Sequence, residues 1–186
     1  CASGGYAMSV ALRAAGLQPG ESVLTNTFTL APVPGSISNA GGKPIFIEIT
    51  KDLVLDLDDL SKKANSSGAR FLLISHMRGH LVDMDRLMKI VNENNLILIE
   101  DCAHTAGGEY KGKKLGTWGD IGCFSFEEKK CMTTGDGGMM VTNNPELFKD
   151  VKAMRWVGID KDNWKTAQKY TQVDKDAMHW YYELNV

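Results

Sequence analysis

Lys129 and Lys130 stand side by side in EKKCMTTGD, a polar stretch whose threonines and glycine cannot comfortably continue a strand, so an exposed loop is the expected setting. Adjacent lysines are ordinarily a solvated charge pair. One of them becomes a nucleophile toward an aldehyde when part of its amine is deprotonated, which burial beside apolar or cationic groups arranges. Asp101 ends the apolar run LILIE. An ionised carboxylate there must find a cation or several donors, because desolvating it unpaired is expensive. A helix cap or a structural ion pair would satisfy it, and so would a protonated ring nitrogen. His104, three residues on, is either a hydrogen-bonded structural histidine or a second member of the same site. A zinc site would need His76, His80 and His104 to converge from separate elements without a motif of recognised ligand spacing, which disfavours a metal. Ser3, Gly4 and Gly5 precede a segment of helical pattern. They are an N-cap with a flexible entry, or an anion site in which glycine amides and the helix N-terminus face a phosphate.

These residues need elements to hold them. Residues 3–16 read as a helix, with Met8, Val10, Ala11 and Leu12 available for burial and Gly16 placed to end it. Strand candidates follow at 22–25, 43–49, 70–76 and 96–101, separated by helical stretches at 33–41, 57–65 and 83–95. Two later strands, 120–127 and 137–142, flank the lysine loop. Alternation of this kind predicts an α/β fold: three layers, α/β/α, around a mostly parallel mixed sheet. In such sheets ligands sit beyond the carboxyl ends of the strands, which directs attention to His76, Asp101 and the lysine loop.

Composition narrows the function classes. The 186 residues are 43% hydrophobic, enough for one domain with a real apolar core. The net charge of -2, from 21 basic and 23 acidic residues mixed along the chain, supplies no sustained basic face, so nucleic acid is not an expected partner. No stretch reaches the roughly 18 apolar residues that span a bilayer, and no charged leader with an apolar core opens the chain; a cytoplasmic protein without a membrane partner is expected. Cys1, Cys102, Cys123 and Cys131 have neither metal-ligand pairing nor the density of a disulfide scaffold, and read as reduced thiols. The start at Cys1 in a Gly-rich segment and the stop at Val186 after MHWYYELNV suggest a piece of a longer protein.

The segment IEDCAHTAGGEYKGKKLGTWGDIGCFSFEEKKCMTTGDGGMMVT closely resembles the centre of the DegT/DnrJ/EryC1/StrS aminotransferases. The likeness extends through SHMRGHLVDMDRL and back through GLQPGESVLTNTFTLAPVPGSISNAGGKPIFIEI to the first residues. It implies the aspartate aminotransferase fold, with residues 1–186 forming most of the large, pyridoxal 5'-phosphate (PLP) binding domain. An N-terminal region and a smaller C-terminal domain would be missing. It also implies a homodimer whose active sites draw on both subunits.

By motif, the resemblance makes Lys130 the Schiff-base lysine, five positions beyond Ser125, and Lys129 the bystander. Asp101 becomes the partner of the pyridinium nitrogen, His104 a neighbour of the ring's phenolic oxygen, and Ser125 a phosphate contact. Ser3, Gly4 and Gly5 match the phosphate-binding turn. Two departures stand out: Gly5 replaces the usual threonine, removing a hydroxyl, and Leu30 falls where an aromatic commonly stacks on the ring. The implied reaction is transamination of a nucleotide-linked keto-sugar, with an amino acid donor such as glutamate. A sugar 3-dehydratase on the same fold would carry histidine in place of Lys130, and a non-catalytic regulatory or binding module would have no need of Asp101, Ser125 and Lys130 together.

Overall fold

A computed structural model of the chain describes residues 1–156; the 178–186 stretch noted above lies outside the described residues. Ser3 caps the first helix, α1 (Gly4–Ala14), its hydroxyl accepting from the Tyr6 amide. At the other end the Gly16 amide returns to the Arg13 carbonyl and that of Leu17 to Leu12, with Gly16 at φ +87°, where glycine is free of the Cβ penalty. The chain then lays down β1 (Ser22–Asn26), α2 (Pro32–Asn39), β2 (Lys43–Ile47), α3 (Leu57–Ser67) and β3 (Phe71–Ser75). Next come α4 (Met84–Glu93) and β4 (Ile97–Asp101). Asp56 and Asp83 cap α3 and α4 by accepting two backbone amides each.

After β4 a two-residue hairpin, β5 (Glu109–Tyr110) with β6 (Lys113–Lys114), precedes β7 (Ile121–Ser125), β8 (Gly138–Val141) and α5 (Pro145–Met154). The sheet runs β2-β1-β3-β4-β7-β8. All pairings are parallel except that of β7 with β8. The hairpin, a short 3-10 turn at Met77–Gly79 and α5 were not anticipated from the sequence. Two are too short to carry a period, and α5 has only Val151 and Ala153 buried, so its apolar signal is weak.

Side-chain alternation in the strands divides the core in two. Leu72, Ile74 and Leu98 face α3 and α4, while Phe71, Leu73, Ile99, Ile121 and Cys123 face α1 and α2. Helices therefore cover both faces of the sheet, as the α/β/α expectation required. None of the helices is long and apolar enough to cross a membrane among the described residues.

Candidate active site

Parallel register sets the site. Ser75 lies beside Asp101, and Asp101 beside Cys123, with Ser125 two residues further along β7. Ser75, Asp101 and Ser125 thus continue the rows of Leu73, Ile99 and Cys123 past the edge of the apolar core, at the carboxyl ends of three neighbouring strands. The N-terminus of α1 closes over them. It comes unusually near: a Cβ on Gly4 would stand 2.6 Å from Ser125 Cβ, and one on Gly138 would stand 2.2 Å from the Ser3 carbonyl oxygen. Reciprocal hydrogen bonds between Cys1 and Gly138, of 2.7 and 2.9 Å, tie the helix entry to β8.

Between these elements lies a cavity of about 280 Å³ whose wall includes Ser3, Gly4, Gly5, Leu30, Asp101 and His104. Ser125 and Lys130 also line it, so every residue singled out in the sequence for the cofactor borders one space. The sequence did not point to Ser75, Glu127 or Asp136, which line it too. No motif marks them, because Ser75 owes its place to β3 register and the other two to the path of the 127–136 loop.

Asp101 is buried, and its partners are neutral: the Ser75 hydroxyl donates to Oδ2 at 2.7 Å and the Ala103 amide to Oδ1 at 3.1 Å. No ion pair reaches it among the described residues. Asn26 in turn holds Ser75, accepting from its amide at 2.8 Å and donating to its carbonyl at 3.1 Å. The carboxylate is thus oriented by donors yet still open toward the cavity.

The two lysines part company. Lys129 is exposed, 3.9 Å from Glu128, whereas Lys130 Nζ points inward and lies 3.1 Å from His104 Nε2. His104 Nδ1 accepts from the Arg78 amide at 3.3 Å. Burial and then the nearby Lys130 charge hold the His104 pKa below the ordinary histidine value, with Asp101 opposing them.

His76 does not join the site. It is buried on the opposite face and lies 3.2 Å from Glu100. Glu100, fully buried, also accepts from the amides of Gly116, Trp118 and Gly119 at 2.7 to 2.9 Å. Burial pushes its pKa up, but hydrogen bonds from His76, Gly119 and Gly116 outweigh that and hold it below the ordinary carboxylate value. Cys102 comes within 4.8 Å of both side chains. Burial and the Glu100 charge push the Cys102 thiol well up, and Glu100 is already engaged by three amides and a ring nitrogen, so the trio reads as scaffold holding the 116–119 turn.

A phosphate-bearing aromatic ring suits this cavity on the structure's own terms. The amides of Gly4 and Gly5, in the first turn of α1, have no carbonyl acceptor within the helix, and the Ser3 and Ser125 hydroxyls stand beside them. A carboxylate lies on the cavity wall as well, and a primary amine projects into it. Position 5 has room for more: a Cβ there would be 3.6 Å from Pro32 Cβ, so glycine is not sterically demanded.

The chain is similar to several known proteins. GDP-perosamine synthase of Escherichia coli O157:H7 is 36% identical over 147 residues, covering 78% of this chain and 40% of that protein. Among solved structures, S. venezuelae DesV in complex with a ketimine intermediate is 33% identical with a TM-score of 0.80, covering 93% of this chain and 45% of DesV. The aminotransferase from Psychrobacter cryohalolentis is 29% identical with a TM-score of 0.82, covering 98% and 45%. The chain spans less than half the length of each of these proteins. The family's aminotransferases use PLP. With its sequence matched over residues 1–174, the chain belongs to the DegT/DnrJ/EryC1/StrS aminotransferase family.

Proposed function

We propose that the protein to which this chain belongs is a PLP-dependent aminotransferase of nucleotide-linked keto-sugars, drawing its amine from an amino acid such as glutamate. Residues 1–186 would be its cofactor-binding large domain, working in a cytoplasmic homodimer. The observation that carries the reading is the convergence of Lys130, Asp101 and the α1 N-terminus on one cavity.

When bound, PLP supplies an electron sink for the carbanion that forms beside the substrate nitrogen. This chain's residues would do the rest. The Gly4 and Gly5 amides, with the Ser3 and Ser125 hydroxyls, hold the phosphate at the positive end of α1. Asp101, oriented by Ser75 and Ala103, keeps a proton on the ring nitrogen. Lys130 would hold the cofactor through its amine and would serve to move a proton at the substrate carbon. His104 and Leu30 line the same cavity, where His104 would approach the ring near its phenolic oxygen and Leu30 would contribute aliphatic packing in place of an aromatic face.

The test is covalent mapping. PLP is added to the full-length protein, the adduct is reduced with borohydride, and the modified peptide is identified. Modification at Lys130, lost in Lys130→Ala and kept in Lys129→Ala, is expected; modification at Lys129 would overturn the assignment. Glutamate should then shift the cofactor absorbance to that of its aminated form, and a binding module would show no shift.

A further inference from the structure

The imidazole of His104 is bonded at both ends, and the two ends are not independent. Nδ1 lies 3.3 Å from the Arg78 amide nitrogen, and Nε2 lies 3.1 Å from Lys130 Nζ. A backbone amide can only donate, so the nitrogen it meets must offer a lone pair. Burial keeps the ring toward its neutral form, which carries a single proton. With Nδ1 occupied as acceptor, that proton belongs on Nε2.

We propose that Arg78, through its backbone N–H, is a positioning residue that locks His104 in the Nε2–H tautomer, so that His104 presents a donor to the active-site cavity. The backbone is shaped for this role. Arg78 adopts φ +53° and ψ +22°, the left-handed region that non-glycine residues rarely enter, inside the Met77–Gly79 turn directly after β3. In that conformation its amide faces His104, 26 residues away in sequence.

The consequence is directional. Nε2 then presents its N–H on the side of Lys130 Nζ, 3.1 Å away. With the cofactor in place, a step that rests on the function proposed above, the same N–H would donate to the ring's phenolic oxygen. A glutamine amide could do likewise from this position, whereas a methionine could not.

The tautomer is read directly from the two ring 15N shifts of His104 in the full-length protein without PLP at pH 7.5. One protonated-type shift at Nε2 and one acceptor-type shift at Nδ1 are expected. Arg78→Gly keeps the amide and adopts positive φ freely, so the pattern should persist. Replacing the 77–78 amide by an ester removes only the donor and should lower the Nε2–H to Nδ1–H ratio about fivefold, corresponding to a net hydrogen bond of about 1 kcal/mol. A proton on Nδ1 in the unaltered protein, or a ratio unmoved by the ester, would overturn the proposal. None of these readings depends on turnover, so they can fail while borohydride still maps the cofactor to Lys130, and the reverse.

Discussion

Replacing Gly4 by alanine tests whether the contact between α1 and β7 builds the anion site. The new Cβ would stand 2.6 Å from Ser125 Cβ, 3.1 Å from its Oγ and 3.2 Å from its Cα. Relaxed carbon contacts lie at about 3.5–4.0 Å, so helix and strand must separate by about 1 Å. Neither moves freely, since Cys1 and Gly138 bond reciprocally and β7 pairs with β4 and β8. Overpacking of this kind costs about 1–3 kcal/mol. Displacing the Gly4 and Gly5 amides from Ser125 also weakens at least one charge-assisted hydrogen bond, each worth about 1.5–3 kcal/mol. PLP affinity of the full-length protein should therefore fall by about 10- to 100-fold. Gly5→Ala is the control: its nearest neighbours would be 3.6 and 3.9 Å away, so affinity should stay within about threefold. Absorbance titration with PLP, alongside urea unfolding of the apoprotein, separates binding from stability. Equal affinity in the two variants would refute the idea that close approach at position 4 creates the site.

Two further outcomes follow from the buried network and the titrating groups. Glu100→Gln sets an amide NH2 against the N–H groups of Gly116, Trp118 and Gly119 and should lower stability by about 2–4 kcal/mol in urea denaturation; a loss under about 0.5 kcal/mol would show that the carboxylate does not hold the turn. His104 and Glu100 both have folded-state pKa values below the ordinary ones of 6.5 and 4.5, so the unfolded chain takes up protons first as pH falls. The His104 contribution should be intact above pH 6.5 and decline below it, and that of Glu100 should be intact above pH 4.5 and decline below it. Removing the His104 side chain should flatten the upper part of this acid limb, and an unchanged pH profile would count against the depressed value.

Much of this was legible in the residue order. Strand and helix periods placed the main elements and the α/β class, because burial on a sheet or a helix face leaves a period of 2 or 3.6. The family resemblance points to Lys130, Asp101 and Ser125 from the residue order alone. Elements without a buried periodic face, such as α5 and the β5–β6 hairpin, left no comparable trace.

What the residue order alone determined is the set of chemical groups and the local segments that carry them. Tertiary structure decided which face each group meets. Glu100 and Asp101 are adjacent acids at the end of one strand, yet one is consumed by the 116–119 turn and the other opens onto the cavity. Lys129 and Lys130 are adjacent amines, yet one is in solvent and the other faces His104. Alternation guarantees that neighbours on a strand point opposite ways, but which side holds scaffold and which holds a site depends on the helices packed there, and those contacts form between residues distant in the chain.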